Sequence, residues 1–322
     1  MALNNHFTTG HFHLVIDGAS VTSFIKSVEG GLVAAQSVEE PVGQYNLRGR
    51  HLGTREIEPV QIEFGMAGAT WALAIAEQFI SQRTIKRLDG EIVHADANMV
   101  EQYRQEFVRG LLTEITLPKL DASSKDTAMI KVKLQPEHVK FKLGAGPKIK
   151  SDSFPSRQKA WHTSNFRITF DNGVDAKYVN SIEALTIKMG VKTMQQGNQF
   201  SPDVVPTKVE MPKLSITLPL LRAGGFIKWY EKAVANQEDS GTPDSQELGT
   251  SKGGGSSYET SVGIEYLDQT TKDTLYTVTL MGVGLEKFSI PKSEANGAGT
   301  KMAKFDFYVT DMKVEANGSG FK

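Results

Sequence analysis

The sequence predicts a mainly β, α+β fold: two tandem antiparallel β-sandwich or barrel domains, each with one packed helix. Three observations predict it. "FHLVIDG" (12–18) returns as "FRITFDN" (166–172). Apolar and polar residues alternate with period two through most of the chain, as they do in half-buried strands. A strong helical pattern occurs once in each half of the 322 residues.

The repeat comes first, because overlooking one misreads a fold. A constant offset of 154 aligns the halves without a gap from residue 12 to residue 80. Phe12 meets Phe166, Asp17 meets Asp171, Ser27 meets Ser181, Val28 meets Ile182, Ile62 meets Ile216, and Glu77 meets Glu231. Beyond the helix the offset grows. "EITLPK" (114–119) matches "KFSIPK" (287–292), and "MIKVKL" (129–134) is expected to match "KFDFYV" (304–309). The second copy therefore carries an insertion, and "EDSGTPDSQELGTSKGGGSSYETS" (238–261) has the Gly/Ser content of a flexible loop.

In each copy the first strand ends in an Asp-Gly or Asp-Asn turn. "IKSVEGGLVAA" and "YVNSIEALTIKM" read as second strands. "PVQIEFGM" and "PKLSITLPL" read as third strands led by proline, whose missing N–H is tolerated at that position. "ATWALAIAEQFISQ" and "GGFIKWYEKAVAN" place Trp71, Ile75, Phe79 and Ile80, or Phe226, Trp229, Tyr230 and Val234, along one helical face. Two late strands close each copy. The two glycines of "GVGLEK" (282–287) read as a bulge within a strand, because no helix follows to make a phosphate cradle. The expected domains are residues 1–145, a Gly/Pro/Ser-bearing linker at 146–164, and residues 165–322.

Composition narrows the function. With 36 basic and 37 acidic residues the net charge is −1, and no basic excess advertises nucleic acid or an anionic membrane. Cysteine is absent, which removes disulfides, thiolate nucleophiles and Cys-ligated metal centres. "MALNNHFTTG" lacks the pattern of a signal peptide, and no apolar run approaches the roughly 20 residues of a membrane helix. The expected location is a bacterial cytoplasm before assembly. His11 and His13 share a strand face near His6 without a supporting metal-ligand spacing, so no metal and no cofactor is expected. Glu56, Glu58 and Glu63 read as solvated charges rather than a catalytic pair. No nucleophile elbow, Walker motif or kinase signature occurs, and the expectation is a chain that is not an enzyme.

"FIKSVEGGLVAAQSVEEPVGQYNLRGRHLGTREIEPVQIEFGMAGATWALAIAEQF" (24–79) resembles the tail-tube protein family of contractile phages and related bacterial contractile injection systems. The resemblance rests on Phe24, Val28, Gly30, Tyr45, Arg48, Gly49, Ile62, Trp71 and Phe79. The second copy repeats the scheme through residue 314, although "SIEAL" (181–185) replaces the glycines of "SVEGG". Family members look like β barrels with a helix that form sixfold rings, inner sheets joining around a lumen and rings stacking into a tube. The resemblance implies that the chain is a virion tail or injection-system component with itself as main partner. Sheath, baseplate or hub proteins would be further partners, and DNA or effector protein the passing cargo; membrane binding by the chain alone is not implied. Tyr45, Arg48, Gly49 and Arg50, with the opening aromatics Phe12 and Phe166, become the candidate interface residues. Ordinary family members resemble a single copy, so three tandem chains would supply six domains to a ring. A baseplate or hub adaptor ring is the alternative within the same machine. A carbohydrate- or surface-binding β sandwich using Trp161, Trp71 or Trp229 as a platform is the alternative from another class.

Overall fold

The computed structural model describes residues 11–21, 25–42, 47–66, 70–80, 85–144, 146–149, 161–194, 203–233, 258–268, 273–291 and 300–316. The first half contains β1 (His11–Ile16), β2 (Ala19–Ser20), β3 (Ile25–Glu29), β4 (Val33–Val42), β5 (Leu47–Ile57) and β6 (Val60–Gly65). Helix α1 (Thr70–Ile80) and strands β7 (Arg87–Ala95), β8 (Glu101–Leu117), β9 (Leu120–Asp121), β10 (Met129–Gln135) and β11 (His138–Leu143) follow. The second half contains β12 (Phe166–Phe170), β13 (Ser181–Ile182), β14 (Leu185–Met194), β15 (Asp203–Glu210) and β16 (Leu214–Pro219). It closes with helix α2 (Gly224–Ala233) and strands β17 (Thr260–Leu267), β18 (Thr274–Ser289) and β19 (Met302–Ala316). The fold is mainly β, with antiparallel sheets and two helices, as the alternation predicted.

Both halves use one strand order. The first runs β1-β7-β8-β10-β6-β3 and the second β12-β17-β18-β19-β16-β13. Strand by strand these are counterparts, and β10 with β11 corresponds to the single strand β19. Pro136, which has no N–H to donate, separates β10 from β11 in the first half. Even the irregularities coincide. A register shift at Leu88/Gly90 in β7 recurs at Thr260/Val262 in β17, one at Lys133/Leu134 recurs at Leu285/Lys287, and one at Ala35/Ser37 recurs at Met189/Val191. Opposite the first of these, Arg109 takes φ 53° and its counterpart Gly282 takes φ 61°. Gly282 adopts that conformation freely. Arg109 is held there by Asp89 Oδ1, which accepts from its backbone N–H at 2.6 Å, and by its Nε 2.9 Å from Glu137.

The pairing corrects one sequence alignment. Ile62 faces Val132 and its counterpart Ile216 faces Phe305, so Met129–Leu134 matches Met302–Phe307, two residues earlier than "KFDFYV". A slip of two leaves every side chain on its original face, so alternation alone cannot detect it; the partner strand fixes the register.

Val33–Val42 and Leu47–Ile57, read from sequence as part of a second strand and an Arg-rich loop, pair as the β4–β5 hairpin, a two-stranded sheet by itself among the described residues. "LRGRHLGTREI" offers no alternation because neither face of the hairpin is buried. Its counterpart is the β14–β15 hairpin, with Ala34↔Glu56 matched by Lys188↔Glu210.

One apolar core runs through both halves. In the second, Phe226 and Trp229 sit at i and i+3 on α2 and pack on the sheet, where Phe226 lies 5.2 Å from Phe170 and Trp229 5.5 Å from Phe307, centroid to centroid. Lys232 in the last turn suits the negative end of the helix dipole. In α1, Ile75, Ala76, Phe79 and Ile80 are buried, and the helix lies against β19 of the other half.

Candidate assembly surfaces

Among the contacts that tie the halves together inside the chain are three between whole elements. First, β14 adds to the sheet of the first half through β8, with Leu185↔Leu117, Thr186↔Thr116, Ile187↔Ile115 and Lys188↔Glu114. The apolar pairs bury Leu185 and Ile187, the two threonine hydroxyls lie 3.1 Å apart, and the last pair sets opposite charges across the ladder. Second, β9 adds to the sheet of the second half through β13, with Leu120↔Ile182 and Asp121↔Ser181. Third, α1 lies against β19. Burial raises the pKa of the Tyr276 hydroxyl, with Tyr266 and the Glu77 carboxylate adding to it; Lys313 is held protonated chiefly by Glu315, with Glu77 again contributing.

A charged lock stands beside this joint. Glu137, only 2% exposed, accepts from Arg87 and from Arg109, and Arg87 Nη2 donates onward to the Val204 carbonyl of β15 at 2.5 Å. A buried carboxylate needs such partners. On the other flank, Arg104 grips Glu101 through Nε (2.7 Å) and Nη2 (2.6 Å) and also reaches Glu91. The hydrogen bonds to Arg104 hold the Glu101 carboxyl below its usual range, and they raise Arg104 itself. Burial, with the Arg104 charge added, lowers the pKa of His13, whose Nε2 is buried without a hydrogen-bond partner.

The sequence-predicted residues fall in three places. Arg48 and Arg50 both reach Glu39 across the β4–β5 hairpin, at 3.1 and 2.5 Å, and Gly49 pairs with Glu40 beside them. All three lie on one exposed arm. Tyr45 and most of the insertion at 238–261 lie outside the described residues. Phe12 and Phe166 occupy matching positions on β1 and β12, at the start of matching rows of side chains. In the first half that row runs Phe12, His94, Tyr103 at centroid distances of 6.4 and 5.6 Å, and Tyr103 stacks on Phe141 at 6.3 Å. In the second it runs Phe166, Tyr266, Tyr276, and both tyrosines are buried. Sequence reasoning missed His94, Tyr103 and Phe141 because they come from three separate strands, and only the register sets them side by side.

Glu56 accepts from Gln36 at 2.9 Å and Glu63 pairs with Lys26 at 3.1 Å, both in exposed surroundings. Among the described residues no three His, Cys, Asp or Glu side chains gather as a metal site, and no helix is long and apolar enough to cross a membrane. Trp229 is 8% exposed and donates its indole N–H to the Tyr258 carbonyl at 3.0 Å; Trp161 is equally buried. Neither presents a face to a sugar ring, which corrects the stacking-platform expectation for these two. The Trp71 side chain lies outside the description.

No family model and no curated protein sequence matches the chain. Among solved structures it is similar to the tube-terminating cap of the anti-feeding prophage, at 17% identity and a TM-score of 0.40 over 45% of this chain and 95% of that one. It is similar to a chain of the sheath-tube complex of the PVC extracellular contractile injection system, at 16% and 0.38 over 44% and 95%. It is also similar to a type six secretion system protein, at 13% and 0.29 over 47% and 94%. Each match spans about half of this chain.

Proposed function

We propose that this chain is a structural subunit of a phage tail or contractile injection system, a tandem tube protein whose two copies each occupy one position in a ring. Three chains would then supply six quasi-equivalent domains. The observation that carries this reading is the internal joint: two copies with one strand order are already fastened sheet to sheet, β14 on β8 and β13 on β9. Such a joint connects different surfaces of the two copies, so it is heterologous, and repetition of a heterologous contact generates a ring or a filament. The edges of the first copy's hairpin, which pair with no further strand among the described residues, fit the same reading, since an edge left with unpaired N–H and C=O groups seeks a further strand.

The residues 1–145 and 165–322 are in this view two ring positions, with residues 146–164 passing between them. Itself is the main partner; sheath, baseplate or hub proteins contact the finished ring, and DNA or an effector protein passes through it. The balance of charge suits a lumen through which cargo slides, because a strongly basic one would retain nucleic acid. Negative-stain electron microscopy of the purified chain tests the reading. Rings or tubes with a central hole are expected, and a chain that stays monomeric at every concentration would overturn it.

A further inference from the structure

Among the described residues, the β14–β8 and α1–β19 parts of the internal joint have counterparts that are uncovered, while the counterpart of β9 lies outside those residues. β14 is flanked by β15 on one side and β8 on the other, whereas β4 pairs, among the described residues, with β5 alone. Ile187 of β14 is fully buried and its counterpart Val33 is 41% exposed. Opposite them, Glu114, Ile115 and Thr116 of β8 pair on both edges, with β10 and with β14. The matching stretch of β18, Lys287–Ser289, pairs only with β19 among the described residues.

The helix contact repeats this asymmetry with the same residue types. Glu77 lies on α1, which packs against β19, the strand that carries Lys313, and its charge acts on Lys313 and Tyr276 of the second copy. At the equivalent positions are Glu231 on α2, Lys140 on β11 and Tyr103 on β8. Glu231 and Lys140 are both exposed. So is the apolar end of β11, where Phe141 is 46% and Leu143 86% exposed, while Val314, the counterpart of Phe141, is fully buried. A third pair completes the pattern. Arg87 reaches Val204 inside the chain, and their counterparts are Glu259 and Arg50, an acid on the second copy and a base on the first.

We infer that the second copy of one chain docks on the first copy of another by repeating the internal joint. In it β4 of the incoming chain lies antiparallel beside β18, with Val33 opposite Phe288 and Ala34 opposite Lys287. Glu231 then faces Lys140, and Glu259 faces Arg50. This deepens the ring reading and rests on it: it names the surfaces through which chains join. The occupant is a second copy of this chain because the only template for covering these surfaces is the chain's own internal contact. The charges agree, with both acids on one side and both bases on the other, which favours head-to-tail encounter and disfavours like ends meeting. Val33 against Phe288 is the β-branched and aromatic pairing that stabilises adjacent strands.

The absence of cysteine allows a direct test in the full chain. Opposed strand residues hold their Cβ atoms near the separation a disulfide needs. Ala34→Cys with Lys287→Cys is expected to give chain-to-chain crosslinks under mild oxidation, seen as dimers and higher multimers on a non-reducing gel. Glu114→Cys with Lys188→Cys, the internal equivalent, is expected to close within single chains. Glu231→Lys or Lys140→Glu alone should each raise the concentration needed for assembly by about fivefold, and the two together should restore it. Crosslinks confined to single chains in the internal control, while the unaltered protein still forms rings, would overturn the joint and leave the ring reading standing. An unaltered chain that never assembles would overturn the ring reading itself.

Discussion

The two hairpins of this chain descend from one pattern and end in opposite circumstances. The β14–β15 hairpin is seated on the first copy, its Leu185, Ile187, Met189 and Val204 buried and its backbone bonded to β8. Among the described residues the β4–β5 hairpin is a two-stranded sheet by itself, and those of its residues whose burial is described are mostly exposed. The hinge differs too. Gly30 and Gly31 take φ 85° and 70°, and a Cβ on Gly30 would come within 2.0 Å of the Pro59 carbonyl. The second copy has Ala184 and Leu185 there and runs straight into β14. Gln105, itself buried, donates its amide to the Gly30 and Gly31 carbonyls at 3.1 and 2.9 Å, while the second copy has Val278 at that position. Burial here is thus a property of what lies next door. A lone two-stranded hairpin is marginal in water, so the first hairpin gains most from a neighbour.

Perturbing the two hairpins in dilute, monomeric protein should separate them. Ile187→Ala removes a fully buried side chain and is expected to cost about 2–5 kcal/mol in urea unfolding, whereas Val33→Ala should stay within about 0.5 kcal/mol. Equal losses would erase the contrast. Arg87→Ala breaks the lock between β7, Glu137 and Val204 and should cost about 1.5–3 kcal/mol. The same substitution should speed amide exchange in β15 well before β5 responds; uniform acceleration would mean that the lock does not hold the hairpin. At the hinges, Gly30→Ala must force a positive-φ position and is expected to destabilise by about 1–3 kcal/mol, against about 0.5–1 kcal/mol for Ala184→Gly.

The smallest effect is one of pH. Burial lowers His94, and burial with the Arg104 charge lowers His13. Since both fall below the unfolded value of about 6.5, the unfolded chain takes up these protons first. Stability present at neutral pH therefore declines as the pH drops below about 6.5. The second copy has Arg167 and Tyr266 at these positions. Thermal melts at pH 7 and pH 5, followed by exchange in each half, should show the loss beginning in the first; a loss that began in the second would contradict this assignment.

Much of the fold was legible because the repeat is strict where cross-strand pairs are strict. Ile62 and Ile216, or Val28 and Ile182, face the same core at the same register, so their apolar character survives in both copies. The helices were legible for a related reason, since Phe226 and Trp229 must share one face. What could not be read was anything depending on which edge meets which. Nothing local in "LTIKMG" announces that it joins β8, and nothing in "LVAAQS" announces that it pairs, among the described residues, with β5 alone. The residues of the proposed interface differ in how far the sequence marks them. Arg48, Gly49 and Arg50 advertise an exposed arm, but Glu231, Lys140 and Glu259 stand out only once the internal joint supplies their counterparts.

In the proposed ring the internal joint of the chain is one step of a repeating contact. Its most direct test is the mass and averaged image of the purified full-length protein over a range of concentrations. Closed particles of three chains, showing six similar lobes around a central hole, are the predicted result. Monomers at every concentration, or dimers in which two chains meet through identical faces, would contradict it.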